Sequence, residues 1–133
     1  MFKISPIQDE KTKKDAAEKC GAVAREGFFA YAMVDQDTNE LMGMSQFEIE
    51  GEIGYISDLR SATGYEDYEA MFILGRATMN FIDMCGSHKC RADKAAAEER
   101  LLHAIGFRET DGELFCDMTG MFDGHCSGEA VKL

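Results

Sequence analysis

Thr63-Gly-Tyr-Glu-Asp-Tyr-Glu-Ala-Met-Phe-Ile-Leu-Gly-Arg-Ala-Thr-Met-Asn-Phe-Ile-Asp-Met-Cys85 is the stretch on which the architecture turns. From Gly64 to Cys85 its polar residues Glu66, Glu69, Arg76, Asn80 and Asp83 fall at spacings of 3, 7, 4 and 3, the period of one helical stripe. Met71, Phe72, Leu74, Met79, Phe81 and Ile82 fill much of the remaining circumference. A helix so apolar around its girth is buried against something larger than itself. Thr63 with Glu66 three residues on has the form of a capping box, and Gly86 is a stop.

Outward from that helix, the preceding segments read as strands. Phe28–Val34 is aromatic and β-branched, and Asp35–Asn39 turns it. Leu41–Ile49 partly alternates, with Leu41, Phe47 and Ile49 expected on one face. Glu50-Gly51-Glu52 is a tight turn into Ile53–Leu59, where Ile53, Tyr55 and Leu59 are expected to share a face. Short turns make these three an antiparallel meander. Earlier still, Phe2–Pro6 is a short edge strand, and Asp9–Cys20 a charged surface helix.

Beyond the long helix come a short strand, His88–Asp93, and a second helix, Lys94–Ile105, with Asp93 as its cap and Gly106-Phe107 as its close. Asp111-Gly112 between Phe107–Thr110 and Glu113–Met118 signals a two-residue hairpin. The sum is an α/β (α+β) chain with a mixed, mostly antiparallel sheet flanked by helices. Residues 1–133 read as one domain, with a core over about residues 2–118 and a less periodic tail over 119–133.

A net charge of −11 excludes the basic field that nucleic-acid backbones require, and disfavours anionic membrane surfaces. No apolar run approaches the roughly 20 residues of a membrane span, and no secretory leader is evident, so a cytoplasmic protein is expected. Cys20, Cys85, Cys90, Cys116 and Cys126 are an odd set without a tight repeat and read as free thiols. Cys85-x-x-His88-x-Cys90, with His125-Cys126 in the tail, departs from zinc-knuckle spacing, and no metal site is expected.

Written in order, strand, helix, meander, buried helix, strand, helix ending Gly-Phe and hairpin, the chain resembles the GNAT N-acyltransferase superfamily over residues 2–118. Leu102-His-Ala-Ile-Gly106-Phe107 is similar to that family's helix ending, and Gly75-Arg-Ala-Thr-Met-Asn-Phe81 to the body of its long helix. The resemblance implies acetyl-CoA or another acyl-CoA as cofactor and a small amine as substrate. It implies that the cofactor's pantetheine arm lies along the splayed end of the fourth strand, and its pyrophosphate on a Gly-rich, basic turn opening the long helix. Leu59, Arg60 and Gly64 are the candidate cofactor residues by that placement. Asp58 is the candidate general base, and His103 a candidate acid.

Two positions depart from the pattern. The phosphate turn falls on Glu66-Asp-Tyr-Glu-Ala-Met71, which has three carboxylates, no Gly and no basic residue. At roughly 5 Å and an effective dielectric near 20, each carboxylate–phosphate pair would cost about 3 kcal/mol before screening. Acids also belong at a helix start for its own sake, where the dipole favours them. The family's thiolate-protonating Tyr falls on Leu102, which has no proton to give. Tyr65 and Tyr68 are candidate stacking residues or packing residues. Two readings therefore stand: a divergent acyl-CoA-dependent N-acyltransferase, or a non-catalytic binding or assembly module of the same fold, one form of which is a homodimer through a sheet edge.

Overall fold

The structure, a computed structural model, describes residues 1–122. Its elements are β1 (Phe2–Pro6), α1 (Glu10–Lys19), β2 (Phe29–Asp35), β3 (Leu41–Glu50), β4 (Ile53–Ser61), α2 (Tyr68–Met84), β5 (Lys89–Ala92), α3 (Glu99–Ile105), β6 (Arg108–Thr110) and β7 (Glu113–Asp117). The seven strands form one sheet in the order β1-β2-β3-β4-β5-β7-β6. Every neighbouring pair is antiparallel except β4–β5, which is parallel at the centre. The cross-connection between those two strands is α2, as a parallel pair requires. Among the described residues no helix is long and apolar enough to cross a membrane.

Apolar burial sorts the helices to opposite faces. Leu74, Met79 and Ile82 of α2 and Leu102 and Ile105 of α3 are fully buried with Phe47, Ile56, Leu59 and Phe107. Ala16, Ala17 and Cys20 of α1 pack on Ala30, Met44 and Ala62 across the sheet. Contact on the α2 face is close enough to dictate residue size. A Cβ on Gly75 would lie 2.9 Å from Ile105 Cδ1 and 3.1 Å from Leu59 Cδ2, so this Gly lets helix, helix and strand meet. Within that core the Ser45 and Thr78 hydroxyls satisfy each other at 2.8 Å, and Thr78 also donates to the Leu74 carbonyl.

The hairpin forms as its sequence dictates. Asp111 and Gly112 both have positive φ, 54° and 81°, the backbone that a two-residue turn between twisted strands needs. Gly106 closes α3 with φ 128°, and the Phe107 N–H returns to the Leu102 carbonyl.

Four expectations are corrected. First, α2 begins at Tyr68 rather than Gly64, and its cap is Asp67, whose Oδ1 accepts the Ala70 N–H at 3.0 Å. Gly64 at φ 95° breaks any helix there, and the Thr63 N–H is spent on the Lys19 carbonyl, so the Thr63–Glu66 capping box does not form. Second, α3 begins at Glu99, because Asp93 closes a turn instead of capping a helix: its Oδ1 accepts the Ala95 N–H at 2.8 Å. Third, Leu59 does not share a face with Ile53 and Tyr55. The register shifts from Gln46↔Asp58 to Phe47↔Ile56, making Ser57 a bulge that reverses side-chain alternation beyond it. Fourth, Leu41 packs with the α1 cluster while Phe47 and Ile49 pack with the α2 cluster, because a second shift, at Met33/Val34, leaves Met42 unmatched.

Candidate functional site

The parallel ladder between β4 and β5 runs only from Ile53↔Lys89 to Ile56↔Ala92. Beyond Ala92 the fifth strand ends while β4 continues for five more residues, so the sheet opens into a splay. A cleft of about 790 Å³ lies at this end, walled by the end of β4, the loop Ala62–Asp67, the start of α2 and the segment Ala95–Leu101. Topology alone puts it there, since a crevice outside the carboxyl end of a parallel strand pair is where α/β sheets open.

Leu59, Arg60 and Gly64 all line this cleft, as do Tyr65, Tyr68, Glu66 and Asp67. Asp58 and His103 do not. His103 sits on α3, half exposed, with Nε2 at 3.8 Å from Glu99. Leu102 is fully buried in the core and presents nothing to the cleft. Tyr65 turns outward to donate to Glu40 at 2.6 Å, and Tyr68 packs beneath Arg100, whose guanidinium carbon lies 4.2 Å from the ring centre. Cys20, at the cleft wall, is pushed up to about 11 by burial, only partly offset by Arg60, and is a thiol at neutral pH.

Asp58 projects from β4 into a buried polar network. Its Oδ2 accepts from Arg25 Nε at 2.7 Å, Ser57 Oγ at 2.8 Å and Gln46 Nε2 at 2.9 Å, and its Oδ1 accepts from Arg60 Nε at 3.3 Å. Burial pushes this carboxyl up. The hydrogen bonds from Arg25, Ser57 and Arg60, with the Arg25 charge, outweigh burial and hold it below the ordinary carboxylate range. The same network pins the segment before β2. Gln46 accepts the Arg25 N–H and donates to the Val23 carbonyl, while buried Lys13 donates to the carbonyls of Arg25 and Phe28. Arg25 and Arg100 carry no expectation from the sequence, Gln46 and Tyr55 only a place in a strand, and Asp93 only a helix cap. The one available signal was a carboxylate in a strand, which requires cationic partners if buried.

Whether these residues suit an acyl-CoA can be tested part by part. In favour, among the described residues none accepts the amide N–H of Gly64, Glu66, Asp67, Tyr68 or Glu69, so the loop into α2 has donors free for an anion. Against, Glu66, Asp67 and Glu69 are exposed carboxylates on those same residues, and Asp67 takes the next amide for itself. Against also, the Leu59 N–H, which points from β4 into the splay, already donates to the Ala96 carbonyl at 2.9 Å. The residues present therefore do not fit an acyl-CoA in this conformation.

Elsewhere, the candidate Cys–His constellation does not converge. His88 Nδ1 pairs with Asp83 at 2.6 Å, Cys85 is exposed and Cys90 is buried. Among the described residues no three His, Cys, Asp or Glu side chains are placed to hold a metal ion. Cys20, Cys85, Cys90 and Cys116 are free thiols; His125 and Cys126 lie outside the described residues.

Comparison with known proteins agrees with the topology. No family model matches the sequence, and no curated protein matches it. Solved structures do. An IAA acetyltransferase from Bacillus cereus superposes with a TM-score of 0.70 at 12% identity, covering 88% of this chain and 99% of its own. A Bacillus subtilis acetyltransferase in complex with CoA gives 0.69 at 12% identity, with 88% and 99% covered. The ribosomal-protein-S18-alanine N-acetyltransferase from Escherichia coli gives 0.67 at 12% identity, with both chains covered at 100%. The chain has the GNAT fold. At this level of identity the likeness concerns the fold and not the chemistry.

Proposed function

We propose that this chain is a GNAT-fold binding module that has given up acyl-CoA chemistry. The observation that carries the reading is the state of Asp58. It is the buried carboxylate of β4, yet four donors engage it and hold it below the usual range, so it accepts a proton poorly at neutral pH. Leu102 supports the reading from the other side, as an apolar residue where the family's proton donor falls. The role left to Asp58 is to fix Arg25 and Arg60 and, through them, the segment before β2. A cytoplasmic partner-binding role suits the acidic surface, and a second copy meeting at an edge strand, β1 or β6, remains the partner proposed for it.

A divergent acyl-CoA-dependent N-acyltransferase acting on a small amine is the second reading, favoured by the unpartnered amides of Gly64, Glu66, Asp67 and Tyr68 in the wall of the cleft. Leu59, Arg60 and Gly64 would then hold the cofactor, with the Leu59 N–H freed for it.

Calorimetric titration of the full chain with acetyl-CoA separates the two. The first reading expects a Kd of roughly 1 mM or weaker, about −4 kcal/mol. Micromolar binding would overturn it and put the acyltransferase reading first.

A further inference from the structure

The splay between β4 and β5 is filled by the chain's own backbone. Just past β5 the chain makes a turn, Asp93–Ala96, in which the Ala96 N–H donates to the Asp93 carbonyl at 2.9 Å. This turn crosses the open end of the sheet and bonds to β4 as a ligand strand would. The Asp93 N–H donates to the Ile56 carbonyl at 2.9 Å, the Leu59 N–H to the Ala96 carbonyl at 2.9 Å, and Arg60 Nη2 to the Ala95 carbonyl at 2.9 Å. Its shape is set by one side chain. The Asp93 carboxylate accepts the Ala95 N–H with one oxygen, at 2.8 Å, and the Tyr55 hydroxyl with the other, at 3.0 Å.

We propose that this turn is an occluding strap, an internal occupant of the splay, and that the Tyr55–Asp93 hydrogen bond is its latch. The strap is lightly anchored by side chains. Ala96 is fully buried but contributes a single methyl, Ala95 is exposed, and Lys94 makes only an exposed ion pair with Glu109 at 3.1 Å, which water screens. What holds it is hydrogen bonding, and each of those bonds can be exchanged for one to a ligand or to water. Withdrawal of the strap exposes the Leu59 N–H together with the adjoining edge of β4. The complementary ligand is an extended chain carrying amide carbonyls, of the pantetheine type. The strap closes the splay whatever the acids of the α2 loop do, so it is a second obstacle to an acyl-CoA, independent of the Proposed function.

Pantetheine itself is the probe that isolates it, because it carries the amides without the phosphates that the acids oppose. Two variants of the full chain open the latch: Tyr55→Phe, which removes one hydroxyl and keeps the ring, and Asp93→Ala, which removes both acceptors. Amide hydrogen exchange by NMR should show the Leu59 amide exchanging faster than in wild type, on the order of fivefold or more, the factor one ordinary hydrogen bond carries. The Thr78 amide inside α2 should keep its protection. Titration with pantetheine should shift the Leu59 and Ala96 amides in the variants, with affinity raised over wild type by a similar factor. If Thr78 also loses protection in Asp93→Ala, that variant has lost its fold and Tyr55→Phe decides. Unchanged Leu59 exchange, or equal pantetheine affinity in wild type and the latch variants, overturns the strap. Replacing Glu66, Asp67 and Glu69 by Gln, Asn and Gln should leave pantetheine affinity unchanged; a rise there would also overturn it. Tight acetyl-CoA binding to wild type would defeat the Proposed function and would overturn the strap with it, whereas weak acetyl-CoA binding with unchanged Leu59 exchange in the latch variants overturns the strap alone.

Discussion

The body of α2 and the loop that leads into it are consecutive in sequence, yet they answer to different constraints. From Ala70 to Ile82 the helix is governed by burial: Leu74, Met79 and Ile82 are fully enclosed between sheet and α3, and Gly75 is there because nothing larger fits. From Ala62 to Asp67 nothing is governed by burial except Ala62 and, in part, Tyr65; most of the loop is exposed, with free amides and acidic side chains. The helix body keeps the fold, while the loop lines the cleft and is free of that packing constraint. A chain can therefore retain the first while the second varies, because packing fixes only the first.

The largest expected effect tests the helix side. Ile82→Ala removes a fully buried side chain that fills the space over Gly54, where an added Cβ would overlap it. The loss should be about 2–5 kcal/mol of unfolding free energy, with no new acetyl-CoA affinity, read by urea denaturation. A loss under about 1 kcal/mol would mean that burial does not govern the helix body, and the comparison would fail at its stronger end.

The helix was legible because its signal is periodic. Met71, Leu74, Met79 and Ile82 repeat at helical spacing, and no alternative face exists for them. The sheet faces were legible only up to each bulge. Ser57 and Met42 look like any other strand residue, but each extra residue turns the remainder of its strand over, which is why Leu59 and Leu41 were expected on the wrong sides. Of the site, the positions of Leu59, Arg60 and Gly64 in the cleft follow from topology. The Asp58 network does not, because Arg25 is 33 residues away in sequence and Gln46 is 12. The closure of the splay was invisible for a stronger reason: Leu59 and Ala96 meet through backbone atoms, which every residue carries alike.

Next in size is the buried carboxylate. Asp58→Asn keeps the shape but sets an amide against Arg25 and Arg60, and should cost about 1.5–3 kcal/mol, the range for hydrogen bonds to a charged group. The sign of its pH dependence follows from its direction of shift. A folded pKa below the unfolded value means that the Asp58 contribution is complete above about pH 4, the unfolded carboxylate value, and is lost as pH falls through the lower, folded one. Wild type should therefore lose stability in acid more steeply than Asp58→Asn, with no difference in slope near neutrality. Parallel acid profiles would show that the network carries no titration linkage.

A smaller effect is expected from the cap. Asp67→Ala removes the acceptor of the Ala70 N–H and should cost about 1 kcal/mol, while returning that amide to the loop. Asp67→Asn keeps a good cap and should cost a few tenths at most, so equal losses in the two variants would show that the side chain does not cap the helix in solution.

The smallest expected effect concerns the loop's charge. Counted at 5 Å in a medium of dielectric 20, each acid near a phosphate looks prohibitive, at about 3 kcal/mol. The positions found for Glu66, Asp67 and Glu69 lower that figure, because all three are exposed and water screens them. Replacing them by Gln, Asn and Gln should therefore raise acetyl-CoA affinity by only about fivefold at low salt, and by less at physiological ionic strength, where the screening length is about 8 Å. The strap remains in place in that variant, with the Leu59 N–H still on Ala96, so the gain stops there. Combining the three neutral replacements with Tyr55→Phe should give more than either alone, measured by calorimetry at two salt concentrations. A gain of a hundredfold from the charge replacements by themselves would show that repulsion was the whole obstacle. The loop alone would then separate this chain from its CoA-bound structural neighbours.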